Sequence, residues 1–215
     1  MRIIIVFLSL ILSAKVFASV PVDPYLIKCS PYPEIKDNTS LPAKFNPTNN
    51  LARSAENSFY KAEGQKIVIY GRLMDANCVP INDGKIFIWQ ANKAGYIQYE
   101  TKHKHKAKWM DPNFTGTGVT NSDNLGRFNF ISIMPGSIGK TTAHINFRIE
   151  HPILKNFASK IYFLREGESI INDHHVSKHL KQEKIIAVPG GVDKDGVQIY
   201  FIDITLKQKI PYKEY

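Results

Sequence analysis

His144-Ile145-Asn146-Phe147-Arg148-Ile149 alternates polar and apolar residues, with Ile145, Phe147 and Ile149 on one side. A period of two marks an extended strand with one face buried and the other turned outward. Upstream, Arg127-Phe128-Asn129-Phe130-Ile131-Ser132 mostly repeats the pattern. Lys85-Ile86-Phe87-Ile88-Trp89-Gln90 and Lys66-Ile67-Val68-Ile69-Tyr70 add β-branched and aromatic runs, the second bounded by Gly64 and Gly71. Asp75-Ala76-Asn77-Cys78-Val79-Pro80 and Asn82-Asp83-Gly84 carry turn chemistry between them. Downstream, Lys160-Ile161-Tyr162-Phe163 and residues 197–204 continue the series. Short strands between Gly, Pro and Asn turns, with no long segment of helical period, predict an all-β sandwich or barrel. Residues 172–184 are the one expected helix, and Pro189-Gly190-Gly191 reads as a turn.

Further toward the N-terminus the composition changes. Arg2 precedes an apolar run from Ile3 to Ala14, about 12 residues against the ~20 that span a bilayer. Val16-Phe17-Ala18 then places small residues where a signal peptidase cuts. Residues 1–18 are read as a cleaved signal peptide, with an uncleaved anchor as the alternative. The expected product is exported, periplasmic or secreted, with no stable membrane span. What remains suits one domain, with an extended N-terminal arm over 19–50 that is rich in Pro, Asn and Ser, and a sandwich over 51–215. The net charge of +9 falls by two when Arg2 and Lys15 leave. The basic residues are scattered among acidic ones, apart from the 102–108 run, so no nucleic-acid partner is expected. Cys29 and Cys78 form an even pair, a disulfide candidate in an oxidising compartment; two separate thiols are the alternative.

Several of these stretches, in this order, resemble the intradiol ring-cleavage dioxygenases. They are Gly71-Arg72-Leu73-Met74-Asp75, Val79-Pro80-Ile81, Ile86-Phe87-Ile88-Trp89-Gln90-Ala91-Asn92 and Asp111-Pro112-Asn113-Phe114. Ser122-Asp123-Asn124-Leu125-Gly126-Arg127-Phe128, Ile133-Met134-Pro135-Gly136 and Ala143-His144-Ile145-Asn146-Phe147 follow. The resemblance runs over about residues 47–206 and implies a β-sandwich of the intradiol type. It also implies a ferric ion held by two tyrosinates and two histidines, on which a catechol chelates before oxygen attacks the ring.

Residue by residue, that implied centre is depleted. The first tyrosine of the family follows Gly-any, and Gly95-Tyr96-Ile97 places Ile97 there, flanked by Tyr96 and Tyr99. The second follows Pro-Gly-any, and Pro135-Gly136-Ser137 leads to Ile138. Of the paired histidines His144 is kept and Asn146 stands for the other, while Thr141 holds the place of an arginine. Tyr99 could substitute for the first tyrosine, since residues two apart in an extended chain share a face. The metal candidates are therefore His144 and Tyr99, with Fe(3+) as cofactor only if the protein is active and none otherwise.

Other constellations are weaker. His103 and His105 lie among lysines that repel a cation, and His175 and His179, with His174 beside them, fit a surface helix as well as a metal site. There is no P-loop, dinucleotide fingerprint or Gly-any-Ser-any-Gly elbow. Trp89 is read as core packing. The expectation is an exported, catalytically degenerate dioxygenase-like protein that serves as a binding or assembly module. A small aromatic ligand or a homo- or hetero-oligomer is its partner. The competing expectation is an active, divergent ferric dioxygenase cleaving a catechol-type ring.

Overall fold

The computed structural model describes residues 29–35, 41–53, 61–97, 109–163 and 185–208. The expected signal peptide, the helix over 172–184, Tyr99, and His103, His105, His174, His175 and His179 lie outside the described residues. Among the described residues there are eight strands: β1 Lys66–Met74, β2 Lys85–Gln90, β3 Thr117–Asn121, β4 Arg127–Ile133, β5 His144–Glu150, β6 Phe157–Tyr162, β7 Val188–Val192 and β8 Gln198–Thr205. They form two four-stranded sheets, β4-β1-β8-β7 and β3-β2-β5-β6. All neighbouring pairs are antiparallel except β1 with β8. The all-β sandwich expected from the alternation is the fold observed.

The two sheets meet on the faces that the period-two pattern marks. Ile67, Ile69, Leu73, Phe128, Phe130, Ile202 and Ile204 come from the first sheet; Ile86, Ile88, Ile145, Phe147, Ile149 and Ile161 come from the second. One polar bridge crosses this core. Gln90 donates its Nε2 to the Ile133 carbonyl at 3.0 Å, and Ser132 donates its Oγ to the Gln90 Oε1 at 2.7 Å. A buried amide with both ends satisfied fixes how the two layers sit, because any slip would strand it.

Turn chemistry makes the connection from β1 to β2, which passes from one sheet to the other. Asp75 accepts from the Asn77 and Val79 amides at 2.8 and 2.9 Å, and Cys78 takes the left-handed φ of 68° that follows. Cys78 is bonded to Cys29, with 5.4 Å between their Cα atoms. The disulfide therefore fastens the segment before β1 to the β1–β2 turn.

That N-terminal segment seals an open edge. β6 is the last strand of its sheet, and its outward carbonyls would otherwise lack partners. The Ile35 amide donates to Ala158 O at 3.3 Å, the Tyr32 hydroxyl to Lys160 O at 2.8 Å, and the Ala187 amide to Tyr162 O at 2.9 Å. Tyr32 also donates its amide to Thr205 O at 2.7 Å, so one residue is tied to both sheets.

Two strands differ from expectation. β3 is made of Thr, Gly, Val and Asn, too small and polar to announce itself. β7 contains Pro189-Gly190-Gly191, which is not a turn but part of an exposed edge strand with a register shift between Pro189 and Val192. An edge needs no amide from Pro189, and Gly190 leaves room for the Phe201 ring, which a Cβ would meet at 2.2 Å.

Candidate functional site

His144, Asn146 and Arg148 point away from the core, on the outer face of the second sheet. In register with them are Tyr162, Lys160 and Ala158 on β6, and Trp89 and Phe87 on β2. An outer face would ordinarily be wet, yet His144 is 4% exposed, Asn146 5% and Lys160 1%. Part of the cover is visible. Phe45 packs edge-on against Phe87 and Trp89 at 5.0 and 5.8 Å, and the Arg148 guanidinium lies over the Phe45 ring at 5.8 Å.

The His144 ring is oriented by its backbone. Its Nδ1 lies 2.7 Å from the Thr142 carbonyl, which can only accept, so Nδ1 carries the hydrogen. The lone pair of the neutral ring is then on Nε2, the usual arrangement for a metal-binding imidazole. What faces Nε2 is the Lys160 ammonium, 3.4 Å away. The Tyr162 ring tilts against the imidazole with centroids 5.5 Å apart.

Among the described residues, the Trp89 Nε1 and Arg148 Nε donors and the Asn146 Oδ1 acceptor on this face have no hydrogen-bond partner. The Asn146 amide nitrogen reaches the Trp89 carbonyl at 3.4 Å. Buried orphans are rare, and a donor and an acceptor on adjacent strands of one buried face can serve a ligand.

The loops that carry Ile97 and Ile138 are drawn together by an asparagine. Asn92 accepts at Oδ1 from the Ala94 and Tyr96 amides, donates Nδ2 to the Trp109 carbonyl at 2.8 Å, and accepts at its carbonyl from Gly95 and Gly136, both at 3.0 Å. Close packing of the two loops requires glycine. A Cβ on Gly136 would meet the Gly95 nitrogen at 2.4 Å and the Lys93 oxygen at 2.5 Å. Ile138 and Thr141 exchange backbone hydrogen bonds at 3.2 and 3.0 Å around Gly139, whose φ is +60°. Tyr96 stacks on Trp109 at 5.8 Å, with ring planes 7° apart.

Of the sequence candidates, His144 lies on this face and Tyr99 is outside the described residues. Asn92 and Lys160 are the functional-site residues that sequence reasoning missed. Among the described residues no three His, Cys, Asp or Glu side chains gather as a metal site. Two surface clefts, of about 540 and 490 Å³, are lined by other residues, the first around Lys85 and Glu150 and the second around Tyr70 and Phe201.

Comparison with known proteins places the chain among dioxygenases. The family model described as "Dioxygenase" matches residues 43–207. A Rickettsia conorii protein, named provisionally as a dioxygenase, is 35% identical over 130 residues, which is 58% of this chain and 62% of that protein. Less than two thirds of that relative's length is therefore matched. Among solved structures, the dioxygenase domain of a dioxygenase carbohydrate-binding protein fusion from Streptomyces sp. SirexAA-E superposes with a TM-score of 0.64 at 17% identity, over 83% of this chain and 99% of that one. The intradiol ring-cleavage dioxygenase from Tetranychus urticae gives 0.58 at 20% identity, over 83% and 95%. At such identities the structural likeness speaks for the fold.

Proposed function

The chain belongs to the intradiol ring-cleavage dioxygenase family, and we propose that within it this protein is an exported member that binds a small aromatic ligand without catalysing ferric ring cleavage. The observation that carries the reading is the chemistry at the family's ligand positions. Ile97 and Ile138 have no lone pair, and Asn146 offers a neutral amide oxygen where an imidazole is expected. Ferric iron favours hard anionic oxygens together with imidazole, and the described residues do not fit it. No step through a metal is derived for this chain.

What the face retains suits binding. It is buried, it is lined by Trp89, Tyr162 and His144, and it presents the orphaned Trp89 donor beside the orphaned Asn146 acceptor. The hydroxyl of an aromatic molecule can accept from the first atom and donate to the second while its ring packs on the neighbouring ones. Export is supported by the Cys29–Cys78 disulfide, a bond that persists in oxidising compartments. In this reading residues 1–18 are removed, 19–50 form the arm and 51–215 the sandwich.

The test is made on purified protein incubated with Fe(III) and then desalted. The expected protein is colourless and iron-free, shows no catechol-dependent oxygen uptake, and changes its tryptophan fluorescence when titrated with catechol or protocatechuate. Stoichiometric iron, a red-brown tyrosinate colour and oxygen consumption would instead establish a working dioxygenase, with Tyr99 as a candidate ligand.

A further inference from the structure

We infer that the Lys160 ammonium takes the place of the metal on His144. The inference rests on the reading above that the centre does not hold iron, and it names the group that holds the position instead.

The argument begins with the imidazole. The Thr142 carbonyl holds the proton on Nδ1, which leaves Nε2 as the atom a metal would bind. That lone pair is already directed at a donor, the Lys160 Nζ at 3.4 Å. Metal–imidazole bonds are about 2.1 Å long, so an ion on Nε2 would lie inside the hydrogen-bond shell the ammonium occupies. A buried cation facing the same lone pair competes with the ion sterically and repels it across a medium of low dielectric.

Lys160 does not reach this position by a chance swing of a surface side chain. Its Cα is in register with Asn146, two pairs along from His144 and Tyr162 and so on the same face. Its carbonyl is clamped by the Tyr32 hydroxyl, and its side chain is 1% exposed. Burying an ammonium is costly unless its hydrogens are satisfied, and an imidazole lone pair is one acceptor that does this. The loss of the second imidazole belongs to the same change. Asn146, directly across from Lys160, is neutral and adds no third positive or metal-seeking group. The centre thus keeps a positive charge on the aromatic-lined face but has lost open coordination positions.

The test uses Co(II), which reports its ligands by visible absorption, titrated into four full-length proteins. These are the wild type, Lys160→Gln, Lys160→Met, and Lys160→Gln combined with His144→Gln. Wild type is expected to show no saturable binding that depends on His144. Each single variant is expected to bind Co(II) tighter by about 10- to 100-fold, the range over which groups around a metal ligand act. The double variant is expected to lose that gain. Tight Co(II) binding by wild type that is abolished by His144→Gln overturns the inference. So does the absence of any gain in the single variants. Failure of both single variants to fold, read by circular dichroism, also overturns it, because Lys160 would then be structural support and not a substitute cation. An iron-free, colourless wild type whose single variants show no gain sinks this inference and leaves the binding function standing.

Discussion

The Tyr32 hydroxyl donates to the Lys160 carbonyl at 2.8 Å, joining two residues 128 positions apart in the chain. The contact connects the N-terminal segment to the residue whose ammonium faces His144. The Tyr32 ring also meets Phe147 and Phe157 edge-on, with centroids at 5.5 and 6.4 Å. A single side chain thus plugs the core, closes the β6 edge and steadies the candidate site from behind.

This placement makes stability sensitive to alkali. Burial pushes the Tyr32 phenol well above its usual value, and the nearby Tyr162 adds to the shift. As pH rises past the ordinary phenol value of about 10, the unfolded chain gives up this proton first, so folded protein loses stability from there toward the raised value. Below that window Tyr32 contributes no pH dependence. Urea melts between pH 8 and 11 should show a falling midpoint for wild type and a flatter profile for Tyr32→Phe. Equal slopes for the two proteins would refute the assignment.

The Cys29–Cys78 bond closes a loop with a sequence separation of 49. Chain entropy for a loop of that size gives roughly 4 kcal/mol. Cys29→Ser, Cys78→Ser and the double variant should therefore each unfold at lower denaturant by a similar amount, and the double should not add to the singles. A double variant much weaker than either single would mean that the thiols act separately.

Gly136→Ala should destabilise the protein by about 1–3 kcal/mol, because the new methyl meets backbone atoms of residues 92, 93 and 95 that cannot rotate away. The same change at Gly139, where nothing lies within 4 Å, should cost less, about the ~1 kcal/mol of a positive-φ substitution. Thermal melts of the pair decide it, and the prediction fails if Gly139→Ala is the more damaging.

Much of the fold was legible from alternation alone, because β5, β4, β2 and β1 present Ile, Phe and Leu at alternate positions to one interior. β3 was not, since Gly118 earns its burial from the arm: a Cβ there would meet Leu51 Cδ1 at 2.5 Å and Thr48 O at 2.7 Å. β7 was misread because Pro and Gly signal a turn locally, whereas its pairing with β8 is a long-range fact. At the site, the shared face of His144 and Asn146 follows from their spacing. Lys160 was invisible: a lysine in a strand reads as a solvated position, and only its register opposite Asn146, together with the Tyr32 clamp, makes it interior. Asn92 was quoted as part of a family-like run, but its hydrogen bonds to Trp109 and Gly136 depend on contacts no local pattern encodes.

Ser132→Ala should cost about 1–3 kcal/mol, since it leaves the Gln90 Oε1 buried without its donor between the two sheets. Replacing both partners, Ser132→Ala with Gln90→Leu, should recover part of that loss, because no polar atom is then stranded. A double-mutant cycle by chemical denaturation measures the coupling, and a coupling near zero would mean the bridge does not join the layers.

The sealing of β6 by residues near the N-terminus has a consequence for how the molecule is made. Tyr32 and Ile35 emerge from the ribosome long before Ala158, Lys160 and Thr205 exist, so the portion synthesised first must wait, unseated, for nearly the whole polypeptide. Until it docks, a nascent molecule exposes a row of bare carbonyls that another copy's backbone can adopt. Guarding that interval is a task for whatever chaperone meets the chain.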